Sequence, residues 1–305
     1  MPQLSYLDLT YTELAALHRD RTVAVSAVSP VEVHGPHLPL GTDLFIAEEL
    51  RDRVARLIGE RRPDWNVLVL PSLAAGSDPI PLPGSVEVAP AALEGVVRGW
   101  ARALAGQGFR YWVLLDNHGG PHHQLAIETA GRGAARKGLH LIAPFHLEFR
   151  RMVALDPELL EVTGLAEGTV GDITDSHAGT NETSLMLAAM ADAVRPGYAA
   201  LGQGRVSPRR GLTRALATMG RLLGRLGASD AATDFRFISN ALAWVSDPQM
   251  ESYQGRPCAA DPAAGERMLE YRAAVAIELL EAAISGVPVQ TKPLGWSIRR
   301  LRKII

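Results

Sequence analysis

Three polar segments hold most of the side chains in this sequence that could do chemistry. Together they contain six of the nine histidines of the chain, and each also carries carboxylates. Imidazole nitrogen and carboxylate oxygen are the donors that zinc and other borderline divalent cations accept. The clustering therefore predicts a metal site. The residues concerned are Glu32, His34, His37 and Asp43; then Asp116, Asn117, His118, His122 and His123; then Asp172, Asp175, His177 and Glu182.

The spacing within the first segment favours metal binding. Glu32 and His34 are two residues apart, and residues at that spacing in an extended segment point to the same side. Asp43 follows before a helix, and the other two segments add His118 and Glu182. Three carboxylates and two histidines are more than one tetrahedral catalytic ion needs. We therefore predict two ions with a shared carboxylate, which would polarise a carbonyl and provide a hydroxide nucleophile at neutral pH.

Gly119 and Gly120 follow directly after His118. Glycine allows close backbone approach, so their N–H groups could donate to an oxyanion, although a tight turn between a strand and a helix explains them equally well. Other catalytic classes have less support. The sequence has no GxSxG serine elbow, no phosphate-binding loop, and a single cysteine, Cys258, outside the polar segments.

The elements that must position these residues alternate between strand and helix. The strands are continuous apolar runs, and helical segments of ten to eighteen residues separate them, which is typical of a parallel sheet covered on both faces. Ligands bind at the carboxyl ends of such strands, where the first two polar segments begin. The predicted strands are Thr22–Val28, Asn66–Pro71, Tyr111–Leu115 and Leu139–Phe145; the predicted helices include Tyr11–Arg19, Leu44–Ile58, Pro90–Gln107 and Asp261–Ile284.

Composition narrows the class of protein. The 305 residues carry 31 basic and 33 acidic side chains, so a general nucleic-acid binder is not expected. One cysteine excludes a disulfide within the chain. The sequence shows neither an apolar run long enough to span a membrane nor a signal peptide. We expect a cytoplasmic protein with a small-molecule substrate and with neither membrane nor nucleic-acid partners.

Three motifs resemble the signatures of one enzyme family. The segment EVHGPHLPLGTD resembles E-x-HGPHLPLGTD of the creatininase family almost letter for letter. DNHGGP resembles its NGHGGN, and DSHAGTNETS resembles its D-x-HAG-x-x-ETS. The order and the rough spacing also match. The resemblance implies a three-layer α/β/α fold with a mainly parallel sheet, two divalent metal ions per subunit, and hydrolysis of amide or related bonds.

The resemblance also assigns roles by position. Asp43 matches the bridging ligand, and Glu182 matches the carboxylate that completes the site. His177 matches the position of the acid/base, with Glu182 beside it in the catalytic set. Zinc is the metal expected first, with manganese or iron as alternatives, and the expected assembly is a homo-oligomer, a hexamer built as a trimer of dimers. The implied metal ligands are Glu32, His34, Asp43, His118 and Glu182.

The departures from the family motifs concern the substrate. Asn117 stands where the motif has glycine, and Pro121 stands where it has asparagine. Creatininase itself has a glutamate ligand two positions after the metal-binding histidine, where this sequence has Gly120. Aromatic residues that close over creatinine have no recognisable match. These differences argue against creatinine as the substrate.

Our hypothesis is a dinuclear metal-dependent hydrolase in which a metal-bridging hydroxide attacks the carbonyl of a small cyclic amide, a formamide or a related C–N bond. We expect His177 to donate a proton to the leaving group. Asp175 is assigned to orient His177, and Gly119, Gly120, His37 and Asp175 form the predicted substrate or oxyanion set. The alternatives are hydrolysis of a ring C–C bond next to a ketone, as in an inosose-type keto-cyclitol, and a non-catalytic binding or assembly subunit.

The second half of the chain is less regular. Arg205 to Gly227 includes six arginines and no acid, and the tail from Lys292 has five basic residues and no acid. Solvated or interface faces explain such stretches more readily than binding to a phosphate. We predict one creatininase-like domain over residues 1–305, with a basic helical insertion at about 205–249 and a basic C-terminal tail at 292–305.

Overall fold

The computed structural model describes residues 3–289 and 291–301. The strands are β1 Gln3–Ser5, β2 Thr22–Ser29, β3 Asn66–Val69, β4 Leu73–Ala74, β5 Tyr111–Leu115 and β6 His140–Ile142. The α-helices are α1 Tyr11–Ala16, α2 Thr42–Arg61, α3 Pro90–Gly106, α4 Pro121–Ala135, α5 Phe145–Ala154, α6 Pro157–Thr163, α7 Thr180–Ala189, α8 Gly211–Arg225, α9 Ser229–Val245 and α10 Pro262–Ile284.

The sheet has the order β1-β3-β2-β5-β6, and its strand pairs are parallel. The short strand β4 pairs with the end of β2, also in parallel. Val23 of β2 lies opposite Val67 on one side and Tyr111 on the other. The central strands β2 and β5 are therefore neighbours, and their carboxyl ends meet at one edge of the sheet.

Alternation along the strands builds two separate cores. In β2, Val23 and Val25 belong to one apolar cluster, whereas Ala24 and Val28 belong to the other. Helices α2 and α10 supply the first cluster, and α3 and α4 supply the second. Because neighbouring side chains of a strand point to opposite faces, every residue of β2 is buried. The predicted α/β class with a three-layer, mainly parallel architecture is confirmed.

Several predicted elements are shorter in the structure, and the strand predicted over Asn66–Pro71 ends at Val69. The strand predicted over Leu139–Phe145 is only His140–Ile142, because Pro144 caps α5 and Phe145 begins that helix. The helix predicted to reach Arg19 ends at Ala16. Its start has the expected capping box, in which Thr10 and Glu13 exchange side-chain and backbone hydrogen bonds.

The arginine-rich segment is helical, as expected. Helices α8 and α9 lie within residues 205–249 and pack on each other. That this segment is an insertion, and that the chain is one domain, stay predictions. The basic tail is described up to residue 301, and residues 302–305 lie outside the described ranges. Among the residues in those ranges, no helix has both the length and the apolar character that a bilayer-spanning helix needs.

Candidate metal centre

The five predicted ligands come from four separate places at the carboxyl edge of the sheet. Glu32 and His34 lie in the loop that follows β2, and Asp43 lies in the first turn of α2. His118 lies in the loop between β5 and α4, and Glu182 lies in the first turn of α7. The fold thus brings side chains separated by as many as 150 positions into one buried cluster.

The cluster contains two groups that share the Asp43 carboxylate, and a third group that joins Glu32 and His34 with His177. In the first, His118 Nδ1 lies 3.0 Å from Glu32 Oε2 and 3.3 Å from Asp43 Oδ2. In the second, His34 Nε2 lies 3.3 Å from Asp43 Oδ1 and 3.7 Å from Glu182 Oε2. Within each group, the donor atoms all lie within 4.8 Å of one another. Asp43 therefore presents one oxygen to each of the two groups that share it.

The two histidines are oriented by backbone carbonyls. His34 Nδ1 lies 3.0 Å from the carbonyl oxygen of Glu32, and His118 Nε2 lies 3.0 Å from that of Ser77. A nitrogen that faces a carbonyl must carry the proton, so Nε2 of His34 and Nδ1 of His118 are the nitrogens that can bind a cation once they are deprotonated. Such outer hydrogen bonds fix the ring and the tautomer of metal-binding histidines.

The donor set fits divalent cations. Within the residues that the structure describes, Glu32 Oε2, His34 Nε2 and Asp43 Oδ2 are buried and have no hydrogen-bond partner outside the cluster itself. An unpaired buried polar atom is destabilising by about 1–3 kcal/mol. All three atoms belong to the two groups, and bound cations would supply the partners that they lack. Nitrogen and carboxylate oxygen in this ratio suit zinc, manganese or iron.

The charges in the cluster are strongly coupled. Burial opposes the charging of His34, yet the carboxylates of Asp43 and Glu182 raise its pKa to about 10. The pKa of His118 is also raised, by Glu32 and Asp43 against burial. Burial raises the pKa of Glu182 to about 7. Among these carboxylates the two histidines hold protons strongly. A bound cation would displace those protons, so metal binding would release them.

Asn117 holds two carboxylates of the second group from behind. Its Nδ2 donates to Asp43 Oδ1 at 2.9 Å and to Glu182 Oε1 at 3.0 Å. Its Oδ1 accepts a 2.6 Å hydrogen bond from Arg272 Nη1. The departure from the family motif at this position therefore adds an amide that holds two carboxylates at once.

Arg272 is the anchor of this support. Only 1% of the residue is exposed, and it is bonded through each of its three nitrogens. Nε donates to Glu148 at 2.7 Å, and Nη2 donates to the carbonyl oxygen of Asp116 at 2.8 Å. The guanidinium also lies over the ring of Phe145, with 5.1 Å to its centroid. Arg272, Glu148 and Asn117, which we call the paired cluster, form a buried polar network directly behind the metal groups.

His177 lies against the centre. Its ring centroid is 4.2 Å from that of His34 and 5.2 Å from the nearer ring of Trp244. Nε2 donates to the carbonyl oxygen of Val33 at 2.7 Å, so Nδ1 holds the lone pair. Burial, reinforced by His34, lowers the pKa of His177 to about 4. The ring is neutral at pH 7 in this environment.

Asp175 does not pair with His177, contrary to its predicted orienting role. Its Oδ1 accepts from the Thr180 N–H at 2.6 Å, and its Oδ2 accepts from the Asn181 N–H at 2.9 Å. These bonds hold the turn that begins α7. The carbonyl of Val33 orients His177 instead, a contact between segments far apart in sequence.

His37 is buried behind the centre and does not line the cavity described below. Its Nε2 lies 2.8 Å from the hydroxyl of Thr183 in α7. Burial lowers the pKa of His37 to about 4. The structure thus places His37 between the first loop and α7, where it contributes to packing, and not at the predicted substrate position.

The turn after His118 has no room for a larger side chain. A Cβ atom at Gly120 would clash with His118 Nε2, the Ser77 carbonyl and Asp78. The glutamate that creatininase carries at this place therefore has no space in this backbone. Pro121 occupies the first turn of α4, where its missing N–H has no helical partner to lose.

A cavity of about 350 Å³ opens onto the centre. Its polar wall includes Glu32, Asp43, His118, His177 and Glu182, and Gly119, Gly120 and Asp175 also line it. A mouth of Asp78, Glu87 and His122 adds further polar groups; Asp78 accepts from the His122 backbone N–H at 2.7 Å and lies 2.9 Å from its Nδ1. The opposite wall is apolar and belongs to α5 and α9.

The sequence analysis missed three contributors, namely Arg272, Glu148 and Trp244. Arg272 interrupts the apolar face of the last helix four residues after Met268, and an arginine at such a position is a detectable signal. Glu148 is likewise a buried charge on an otherwise apolar face of α5. Trp244 carried no local signal, because its proximity to His177 depends on how α9 packs.

The chain matches the family model for creatininase, described as creatinine amidohydrolase, over residues 7–280. It is 29% identical over 177 residues to the mycofactocin precursor peptide peptidase of Mycolicibacterium smegmatis strain ATCC 700084 / mc(2)155, covering 56% of this chain and 59% of the peptidase. It is 30% identical over 198 residues to the creatinine amidohydrolase of Pseudomonas putida, covering 61% and 72% respectively. The match thus spans about three fifths of the peptidase.

Solved structures agree with this fold. One, described as creatininase Mn, superposes with a TM-score of 0.63 at 22% identity and covers 92% of this chain and 98% of its own. A mutant creatininase of the Zn–Zn type superposes with a TM-score of 0.61 at 21% identity, with the same coverage. At these identities the likeness concerns the fold.

Proposed function

Because the chain belongs to the creatininase family, we propose that it is a dinuclear metal-dependent hydrolase that cleaves a C–N bond of a small amide. The observation that carries this proposal is the position of Asp43, which presents one carboxylate oxygen to each of two buried donor groups. A single-ion site would not need a shared carboxylate with two separate histidine partners.

The residues divide naturally between two ions. Glu32, Asp43 and His118 would hold one, and His34, Asp43 and Glu182 would hold the other. Two divalent ions so held supply a polarised carbonyl and a nucleophilic water at neutral pH. Zinc is our first choice, with manganese or iron as alternatives. Of the two solved creatininases, one is described with manganese and the other with zinc.

We assign proton transfer to His177. Since Nε2 is engaged with the Val33 carbonyl, Nδ1 is the atom that can take a proton from the attacking water. The same atom can then deliver this proton to the leaving amine nitrogen. Glu182, predicted to share in catalysis, is assigned to metal binding, because Asn117 and the Ala178 N–H hold its two oxygens in the second group.

Gly119 and Gly120 are kept as the proposed donors to the oxyanion that forms at the carbonyl. Both line the cavity beside His118. Backbone N–H groups aimed at that oxygen stabilise the transition state more than the ground state. Asp175 supports the turn that carries His177 and Glu182, as its bonds to the start of α7 show.

The walls of the cavity favour an amide over a keto-cyclitol. The loop at 78–81 reaches the cavity and contributes Pro79, Ile80 and Pro81 together with Asp78. A polyol needs many hydrogen-bonding partners, and three of these four side chains offer none. Cleavage of a C–C bond stays the alternative reaction at the same centre. A cytoplasmic location and a hexameric assembly also stay predictions.

Metal content and hydrolysis test the proposal together. Protein purified without chelators should contain two transition-metal ions per chain by mass spectrometry. It should hydrolyse members of a panel of lactams, formamides and short peptides, and chelation followed by dialysis should abolish that hydrolysis until zinc or manganese is returned. Protein without stoichiometric metal, even after reconstitution, would contradict the proposal and favour the binding or assembly subunit. Two ions with cleavage of keto-cyclitols alone would favour C–C hydrolysis.

A further inference from the structure

The wall of the cavity that faces the metal centre is built from α9 and α5. Phe237, Ile238 and Leu242 of α9 line it, together with Phe149 and Met152 of α5. These side chains present carbon atoms to the space in front of the carboxylates. A substrate group on this side of the scissile carbonyl loses its water and gains mainly apolar contacts, since Asn240 is the polar residue that α9 adds to the lining. Burial of that kind is favourable for hydrocarbon and unfavourable for hydroxyl or charge.

Two unpaired donors interrupt this wall. Trp244 is 6% exposed and Asn181 is 5% exposed, and both line the cavity. Among the described residues, Trp244 Nε1 and Asn181 Nδ2 have no hydrogen-bond partner. Buried indole and amide N–H groups almost always find an acceptor, so two that do not at one cavity indicate an acceptor supplied from outside the chain.

We propose that the substrate is an amide with a bulky apolar group, branched aliphatic or aromatic, next to the scissile bond. The substrate also carries a second acceptor oxygen, which Trp244 and Asn181 bind. This inference rests on the proposed function, since it places the scissile carbonyl at the metal centre. A few well-placed polar groups within an apolar pocket is the usual composition of a specific small-molecule site. A peptide-like amide with a hydrophobic side chain meets the description.

On this proposal, the segment at 205–249 shapes the substrate pocket. Helix α9 is packed between α8 and the cavity, and it supplies most of the apolar wall as well as Trp244. The ring of Trp244 also lies against His177, so the same helix shapes the substrate pocket and covers the proposed proton-transfer group. Selectivity for the apolar group should therefore be sensitive to changes in α9 that leave the five metal-binding side chains intact.

Binding of hydroxamic acids to the zinc-loaded protein tests this class of substrate without turnover. The hydroxamate group anchors to metal, and its substituent probes the wall. By calorimetry, 4-methylpentanohydroxamate should bind about 10- to 100-fold more tightly than acetohydroxamate, since each buried methylene is worth about fourfold and we expect two or three of the added carbons to be buried. A polyhydroxylated hydroxamate of similar length should gain nothing. Equal affinities, or a preference for the polyhydroxylated compound, would overturn the inference.

If even acetohydroxamate fails to bind the zinc-loaded protein, the proposed metal centre fails, and this outcome is distinct from failure of the apolar pocket. A pair of variants gives a second test. Val245→Asp changes a cavity-lining residue that is 40% exposed, and Val162→Asp changes one in α6 that is 53% exposed and does not line the cavity. The first should reduce the advantage of the apolar ligand at least tenfold, and the second should leave it unchanged. Equal behaviour of the two variants would also overturn the inference.

The two donors have a test of their own. Trp244→Phe keeps an aromatic ring but removes the N–H. This variant should bind 4-methylpentanohydroxamate as the wild type does, and it should lose about fivefold or more in affinity for an analogue with an added amide oxygen. An unchanged ratio between the affinities for the two ligands would show that Trp244 Nε1 does not bind a second acceptor oxygen of the substrate.

Discussion

The candidate metal centre and the paired cluster behind it are both buried and both highly charged, yet their bonding differs. In the paired cluster, Arg272 uses Nε, Nη1 and Nη2 on Glu148, Asn117 and the Asp116 carbonyl. In the centre, ligand atoms of Glu32, His34 and Asp43 lack hydrogen-bond partners outside the centre itself among the described residues. A buried charged group that is fully paired supports the fold. One that is left incomplete indicates where a ligand belongs.

Asn117 joins the two regions. It accepts from Arg272 on one side and donates to Asp43 and Glu182 on the other. The paired cluster therefore limits how far two of the carboxylates can move apart. Since like charges in a buried site repel each other strongly, the support is expected to preorganise the centre before metal arrives.

The largest effect should come from Asp43→Ala, which removes the carboxylate that the two groups of the candidate metal centre share. We expect the variant to lose both ions and all measurable hydrolysis, a fall of at least about 10⁴-fold. Mass spectrometry and kinetics measure the two losses. Asp52→Ala, a change at an exposed position in the same helix, is the matched control and should retain two ions. Retention of one ion in the Asp43 variant would show that the two groups bind metal independently.

The second largest effect should come from His177→Ala, which tests proton transfer separately from metal binding. His177 touches His34 but lies outside the proposed ligand set, so the metal content should stay at two ions. Turnover should fall about 10²- to 10⁴-fold, the usual contribution of a general acid–base group. Wild-type activity in this variant would mean that another group carries the proton.

Variants of Arg272 and Glu148 test the paired cluster, which we expect to support the stability of the fold. Arg272→Met leaves Glu148 buried without its partner and should lower the free energy of unfolding by about 3–5 kcal/mol. Arg272→Met with Glu148→Met should be more stable than the single variant, because an apolar pair can replace a buried ion pair. Denaturant titration of the metal-free proteins measures both.

Metal affinity should not recover in this double variant. Asn117 would still lack its anchor, and loss of an outer support typically weakens metal binding about 10- to 100-fold. A competition titration with a zinc-binding dye measures the change. If stability and metal affinity recover together, the paired cluster acts on the fold alone, and the distinction between the two regions fails.

The smallest effect concerns His146, a buried histidine next to the paired cluster. Burial lowers its pKa from 6.5 to about 4, while in the unfolded chain it titrates near the ordinary value. Between pH 6.5 and 4 the unfolded state therefore binds more protons, so stability falls as the pH falls through this window. At pH 5 the loss from His146 should be about 2 kcal/mol.

His146→Gln removes this titration. In denaturant titrations at pH 7 and pH 5, the variant should lose about 2 kcal/mol less than the wild type between the two conditions. Nδ1 of His146 lies 3.1 Å from the Thr291 hydroxyl, and glutamine can keep a hydrogen bond at this place. Identical pH dependence in the two proteins would show that His146 becomes protonated in the folded state.

What the sequence predicts well is what depends on local pattern. The apolar runs of β2 and β5 predict parallel strands, and the rule that ligands lie at strand ends brings Glu32 and His118 to one edge. The two-residue spacing of Glu32 and His34 predicts that they converge on one ion. Their donor atoms do lie within 4.8 Å of each other, in a group with His177, while His118 lies 3.0 Å from Glu32 and Asp43 lies 3.3 Å from His34.

What the sequence does not predict are contacts between distant segments. The bond from Arg272 to Asn117 spans 155 positions, and the bond from His177 to the Val33 carbonyl spans 144. No local pattern encodes either one, because each depends on how α10 or α7 packs against the sheet. The role predicted for Asp175 was wrong for the same reason: adjacency in a loop suggested a contact with His177 that the packing of α7 does not make.

The position of Arg272 on α10 has a consequence for how the protein matures. During synthesis the five proposed ligands leave the ribosome well before the helix that anchors them. Until α10 docks, Asn117 has no arginine to hold it, and the carboxylates have no fixed arrangement in which to receive a cation. Loading with metal is then expected to be a late step, made by a chain that is already folded. A cell short of metal would accumulate a folded apoprotein that regains activity when the supply returns.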